Sequence, residues 1–208
     1  MYGSVLNCKL TEDFHYILPT YKEEVSYFKN PFFNISDSER IDDIGAYDGD
    51  TIKEFLTVKD KYAYIYAIEP ESRSVSKLNQ YIAQKNLKNI QVYECGCWNE
   101  NTLIDFCEDE ESSSINRKGK LKVYKLDDLL GNQKVSIIKI NFLIGVCETL
   151  EGATNILKEQ MPKLVVMVGF DEWGLIRIPQ KIKEINPKYK ISIRYASAMP
   201  ARLMLFAY

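Results

Sequence analysis

Apolar and polar positions along the chain fall into short runs that predict strands and helices taking turns. Residues 40–46 are a short apolar run ending in a glycine-bearing turn, and residues 50–57 then place Ile52, Phe55 and Leu56 on one helical face. Residues 62–68 are aromatic and β-branched, the composition of a second strand. Residues 71–86 carry Val75, Leu78, Tyr81 and Ile82 at helical spacing. A third strand is expected over 90–97 and a fourth over 135–143, the latter nearly all apolar, as a strand buried on both faces should be. Residues 145–160 read as a helix stopped by Pro162, 163–170 as a fifth strand, 176–185 as a helix, and 190–196 and 202–208 as two final strands.

Such alternation argues for an open, mostly parallel sheet of seven strands with helices on both faces. Residues 99–133 interrupt it, and their segments 102–107 and 120–125 are suited to pair as a β excursion around the polar loop 108–119. The first part of the chain differs from the rest. Tyr, Phe and charged residues dominate it, Pro19 and Pro31 break it, and residues 11–16 and 22–28 each fit a short helix. The expected organisation is an N-terminal cap over 1–38 packed on a single unit over 39–208.

Composition narrows the function classes. The 208 residues suffice for one α/β core, and 46% apolar with 27% charged is a globular profile. A net charge of −2 lacks the basic footprint that phosphate neutralisation demands, so no nucleic-acid partner is expected. The most apolar stretch, 135–146, is short and interrupted by Lys139 and Asn141, so no membrane span is expected. Five cysteines, an odd number, without an N-terminal signal segment fit reduced thiols and a cytoplasmic location. Cys95 and Cys97 stand two apart, but a chain with one histidine offers no further zinc ligands, so no metal is expected.

The turn after the first strand carries the chemistry. In open α/β sheets ligands sit beyond the carboxyl ends of the strands, near the point where strand order reverses. Here the strand delivers Asp43, followed by Gly45, Ala46, Tyr47 and Gly49. Glycine at 45 lets the backbone approach a ligand, and glycine at 49 starts a helix close beneath it. A dinucleotide loop needs glycine where Tyr47 stands, and the acid ahead of Gly45 suits the ammonium of an amino-acid moiety. The pattern therefore favours S-adenosylmethionine (SAM) over a dinucleotide, and a NAD-dependent dehydrogenase is disfavoured by Tyr47. Glu69 ends the second strand about twenty residues on, the spacing of a ribose-binding carboxylate, and Pro70 fixes the turn beyond it. The competing reading is a tight strand–helix turn with no ligand.

Residues 43–51, Ala67-Ile68-Glu69-Pro70, Leu126-Asp127-Asp128, Ile138-Lys139 and Pro162-Lys163-Leu164 together resemble the FkbM family of SAM-dependent methyltransferases. The resemblance spans about residues 34–208 and implies a Rossmann-like class I methyltransferase fold. Family members are typically O-methyltransferases of sugar hydroxyls or secondary metabolites, so a small-molecule or glycan acceptor is implied. By the same resemblance Asp43, Gly45 and Gly49 hold the donor's amino-acid end, Glu69 its ribose, and Cys97 and Trp98 lie near the adenine. For Trp98 an ordinary core position is an equal reading. The match breaks after the fourth strand. Where the family reads Asp-Ile-Glu-Gly-Ala-Glu, this chain has Asn141, Leu143 and Val146 in place of the three acids, and Phe170 and Tyr195 stand where relatives carry histidines.

Methyl transfer to a hydroxyl needs the acceptor oxygen aligned and its proton removed. The candidates are His15, the one imidazole; Asn141, suited to orient a hydroxyl or line the donor pocket; and Asp171, with Glu172, beyond the fifth strand. Each has a bland alternative: a structural histidine, a lining amide, a helix cap. Arg194 suits an anionic acceptor or a surface ion pair equally. Two functions follow, an active O-methyltransferase with a diverged acceptor side, or a degenerate member serving as a SAM-binding or regulatory module; a second copy of the chain as partner stays open.

Overall fold

The computed structural model describes residues 7, 11, 14–16, 26–108, 117–142, 144–168, 173–195 and 203–208. The main sheet contains β1 (Arg40–Ile44), β2 (Tyr64–Ile68), β3 (Ile90–Tyr93), β7 (Ile137–Ile140), β8 (Lys163–Met167), β9 (Ile191–Tyr195) and β10 (Leu203–Ala207). Their order is β3-β2-β1-β7-β8-β10-β9. All neighbours are parallel except β10, which runs antiparallel to both β8 and β9. The chain builds outward from β1 in one direction, then returns to add β7 on the other side. The order of strands therefore reverses between β1 and β7, and the loops leaving these two strands lie side by side.

The sheet has two differently covered faces. Alternate positions Ile41, Ile65, Ala67 and Ile137 pack beneath α1 (Asp50–Val58) and α2 (Ser72–Gln84), through Ile52, Phe55 and Leu78. The segment before β1 extends this layer: Phe28 meets Phe55 edge-on at 5.1 Å, and Phe32 lies 5.0 Å from Phe206. The opposite face, with Ile44, Tyr66, Ile68, Ile138, Ile140, Leu164 and Val166, packs against α3 (Leu126–Leu130), α4 (Val146–Gly152), α5 (Thr154–Glu159) and α6 (Gly174–Ile185).

Three sequence expectations need correction. Residues 90–97 are not one strand: β3 ends at Tyr93 and Gly96–Cys97 form β4 of a second sheet, ordered β4-β6-β5. A side chain at Gly96 would stand 3.0 Å from Val123, so glycine lets β4 lie against β6 (Arg117–Tyr124), which pairs antiparallel with β5 (Thr102–Glu108). Residues 145–160 are two helices rather than one. The Asp127 carboxylate accepts the backbone N–H groups of Asn155 and Ile156 and starts α5 anew, while Gly152 lies against the Trp98 carbonyl. The β excursion expected in the insertion forms, β5 pairing with β6, and helix α3 follows it. In the cap, Phe14–Tyr16 form a 3-10 turn, and Ser26, Tyr27 and Phe28 are not the end of a helix, the last two being bends; the rest of both expected cap helices, save Thr11, lies outside the described residues.

Candidate functional site

At the carboxyl end of β1 the backbone turns back across β2. The N–H groups of Gly45 and Ala46 both donate to the Ile68 carbonyl, at 2.9 and 3.1 Å. Gly45 takes φ +78, and a Cβ there would stand 2.5 Å from the Asn141 carbonyl oxygen. Glycine is thus required twice, by conformation and by the approach of the neighbouring loop. Tyr47 adopts φ +47, a left-handed conformation uncommon for a bulky side chain, and projects its ring half-exposed beside Lys77. Gly49 at φ +89 opens α1, with Leu78 of α2 only 3.0 Å from where a Cβ would be.

Glu69 stands across this turn. One carboxylate oxygen accepts the Tyr47 N–H at 2.9 Å and the other accepts the Glu71 N–H at 2.9 Å. Burial pushes its pKa up against the pull of these two bonds. Each oxygen keeps a lone pair for a further donor, so a braced carboxylate faces the loop with capacity for two hydroxyls. Pro70 follows, partly exposed.

Asp43 is placed otherwise than a direct ammonium ligand would be. Its side chain is wholly buried and its oxygen lies 2.9 Å from Lys139 Nζ, itself wholly buried on β7. Burial raises the Asp43 carboxyl pKa, and the Lys139 ammonium opposes that. Lys139 also donates to the Gly45 carbonyl at 2.7 Å and sits 5.5 Å from the Tyr27 ring centroid. Sequence reasoning missed Lys139 and Tyr27 as parts of this site. A lysine inside an otherwise apolar strand was the available signal for the first, and nothing local marked the second. Asn141, just beyond β7, donates to the Tyr27 hydroxyl at 2.9 Å, so the segment before β1 reaches the end of the strand where the resembled family carries its first acid.

Compared with solved structures, the chain superimposes on a methyltransferase FkbM from Methylobacillus flagellatus KT with a TM-score of 0.87 at 23% identity, over 99% of this chain and 53% of that one. The fold is that of the class I methyltransferases. The chain spans about half the length of that protein. Weaker likenesses at the same fold level include an rRNA methylase from Streptococcus thermophilus (TM-score 0.54, 13% identity, 83% of this chain and 87% of that). Another is Aeropyrum pernix fibrillarin with natively bound S-adenosyl-L-methionine (0.55, 11%, 85% and 70%). No protein-family model and no curated protein matches the sequence. Because an rRNA methylase shares the methyltransferase fold, the expectation against nucleic acid rests on charge alone.

Within this fold the remaining candidates scatter. Cys97 is buried, and burial together with the nearby Asp42 holds its thiol well above the usual range; Cys95, for the same two reasons in the same order, is pushed up to about 11. Both are therefore protonated, and no metal-holding group of three or more His, Cys, Asp or Glu occurs among the described residues. Trp98 packs along α4: its ring lies 2.2 Å from where a Cβ on Gly145 would be, and its carbonyl 2.0 Å from one on Gly152. Gly145, the cap of that helix, and Gly152, its last residue, both make room for it. His15 is exposed on the 3-10 turn Phe14–Tyr16. Asp171, Glu172 and Leu143 lie outside the described residues. The Arg194 guanidinium stacks over Phe32 at 4.9 Å, and Val146 is a core residue.

Beyond β7 and β8, between α4 and α6, lies a cavity of about 620 Å³ whose walls include Phe142, Ile144, Val146, Met167, Val168 and Glu148. Its volume is that of a small-molecule site. Of the carboxylates lining it, Glu184 is paired with Lys181 at 3.2 Å. Glu148, which sequence reasoning also missed, sits in the first turn of α4. No described helix is long and apolar enough to cross a membrane.

Proposed function

We propose that this chain binds SAM on the loop 45–49 and transfers its methyl group to a hydroxyl of a small-molecule or glycan acceptor lodged in the cavity beside β7 and β8. The observation that carries the reading is Glu69, braced by two backbone donors at the end of β2 and facing a loop, at the strand-reversal point, that glycine keeps open. Glu69 would hold the ribose hydroxyls. Gly45, Ala46, Tyr47 and Gly49 would receive the amino-acid end, with Pro70 setting the turn, and Cys97 and Trp98 would border the base.

SAM, when bound, supplies a sulfonium-activated methyl group. The chain's own residues then have two tasks: to hold the acceptor oxygen in line and to take its proton. Asn141, with one amide hydrogen committed to Tyr27, keeps its carbonyl to orient a hydroxyl. Glu148, the cavity carboxylate with no ion pair among the described residues, would take the proton. Reduced cysteines in an odd number fit a cytoplasmic location for this activity.

A second reading, a SAM-binding module without catalysis, is favoured by one observation: amide and aliphatic side chains stand at Asn141 and Val146, where the family has acids. Calorimetry with S-adenosylhomocysteine (SAH) tests what the two readings share. The wild type should bind, and Glu69→Ala should weaken binding about a hundredfold, two charge-assisted hydrogen bonds being lost; absence of heat with the wild type would remove both readings. Methyl-release assays against glycan acceptors separate them, since SAH binding without turnover on any acceptor selects the module.

A further inference from the structure

We infer that Lys139 is the positioning residue of the donor loop, acting through the Gly45 carbonyl, and that Asp43 serves chiefly to keep Lys139 in place. The inference rests on the donor-site reading above, but its structural half stands by itself. Lys139 and Asp43 are fully buried, face each other across the β1–β7 register, and lie 2.9 Å apart. The same Nζ reaches past the carboxylate to donate to the Gly45 carbonyl at 2.7 Å. Gly45 is the residue whose N–H reaches the Ile68 carbonyl and after which Ala46 and Tyr47 present their N–H groups to Ile68 and Glu69. One ammonium on the neighbouring strand thus fixes the peptide from which the whole turn departs. The Tyr27 ring also lies 5.5 Å from that ammonium, and the lysine side chain has no exposed surface.

This arrangement assigns Asp43 a different task from that of an ammonium ligand. A carboxylate with no exposed surface and a cation at 2.9 Å is spent inside the protein. A buried lysine with no acceptor there would leave its place, whereas one that faces a neutral acceptor sheds its charge and still donates to the Gly45 carbonyl. Asp43 therefore bears on the ligand indirectly, and Lys139 through one hydrogen bond to the loop.

The charge and the hydrogen bond can be separated by substitution. Asp43→Asn keeps a group that accepts from Lys139 and leaves the bond to the Gly45 carbonyl. The double variant Asp43→Asn with Lys139→Met removes both charges together, which spares the fold an unpaired buried ion, but it also deletes the loop bond. Thermal melting reads stability, calorimetry reads SAH affinity, and amide hydrogen exchange in the ligand-free protein reads order at Ala46, Tyr47 and Gly49. Asp43→Asn should bind SAH within about threefold of wild type, whereas the double variant should melt near it yet bind about ten- to a hundredfold more weakly. Its loop amides should exchange faster than those of Asp43→Asn. Two results would overturn the inference: Asp43→Asn losing as much affinity as the double variant, or loop exchange that is equal in the two. If the wild type gives no heat with SAH, the donor-site reading fails, and the exchange comparison still decides the role of Lys139.

Discussion

The two sides of the strand-reversal point are built by different means. On the β1–β2 side a short contiguous turn, one strand-end carboxylate and one lysine make a closed set of hydrogen bonds, nearly all to backbone. On the β7–β8 side the walls come from side chains of two helices, of the end of β8 and of the loops beyond both strands, and the positions where the resembled family places acids carry Asn141 and Val146. Backbone cradles tolerate little change, because every contact is fixed by chain geometry. Side-chain walls can be exchanged one residue at a time without disturbing the fold. On the proposed function, the difference accounts for a donor side that keeps the resembled family's pattern beside an acceptor side that departs from it.

The sharpest way to break this comparison is Gly45→Ala. A methyl group 2.5 Å from the Asn141 carbonyl, at φ +78, must displace one loop or the other. SAH affinity should fall by more than about a hundredfold, left-handed strain and the clash each costing on the order of 1–2 kcal/mol. An alanine variant that binds SAH as well as the wild type would show that the turn is not the donor cradle. On the other side the informative change is Glu148→Gln, which keeps shape and removes the proton acceptor. Turnover should drop about a hundredfold with SAH affinity unaltered. Undiminished turnover would move the base elsewhere, Asp171 and His15 being the remaining candidates.

How much of this was legible in the sequence follows from the same contrast. The loop from Asp43 to Gly49 and Glu69 could be read because strand, glycines and acid lie within one strand–helix–strand unit, where spacing along the chain nearly fixes spacing in the fold. The seven main-sheet strands were legible from apolar runs, though their ends were not. What failed was nonlocal. The break between α4 and α5 depends on the Asp127 carboxylate and the Trp98 carbonyl, both supplied from the insertion. Lys139 reads as a blemish in an apolar strand until β7 is laid beside β1 and its nitrogen meets a carboxylate 96 positions earlier in the chain. The Tyr27–Asn141 contact joins residues 114 apart, and no periodicity reports it.

Trp98 tests where the boundary between the two sides runs. Packed against Gly145 and Gly152, it serves α4 and hence the cavity wall. Trp98→Ala should cost about 2 kcal/mol in urea unfolding, less than a fully buried tryptophan because the residue is partly exposed. SAH affinity should change less than threefold. A tenfold loss of affinity at unchanged stability would instead place the indole against the adenine and make it part of the donor side.

The same contrast is repeated between adjacent residues of β1. Asp43 faces the donor network and has Lys139; Asp42 faces the other core, is equally buried, and has no hydrogen-bond or ion-pair partner among the described residues. Burial, and then the neighbouring Asp43, raise its pKa well above the ordinary 3.8. Its folded form therefore holds a proton that the unfolded chain releases. Stability from this group is fully present below pH 3.8, falls as pH rises towards the folded-state value, and is flat beyond it. Asp42→Val, apolar and β-branched in the middle of a strand, removes both the orphaned carboxyl and the slope. It should raise stability by about 1 kcal/mol at neutral pH, and by less at pH 4, with urea midpoints measured at both. SAH binding should stay as it was, because Asp42 points away from the loop. A variant less stable than wild type at pH 7 would mean that the carboxylate is satisfied there, and that the core face of β1 is as fully partnered as the donor face.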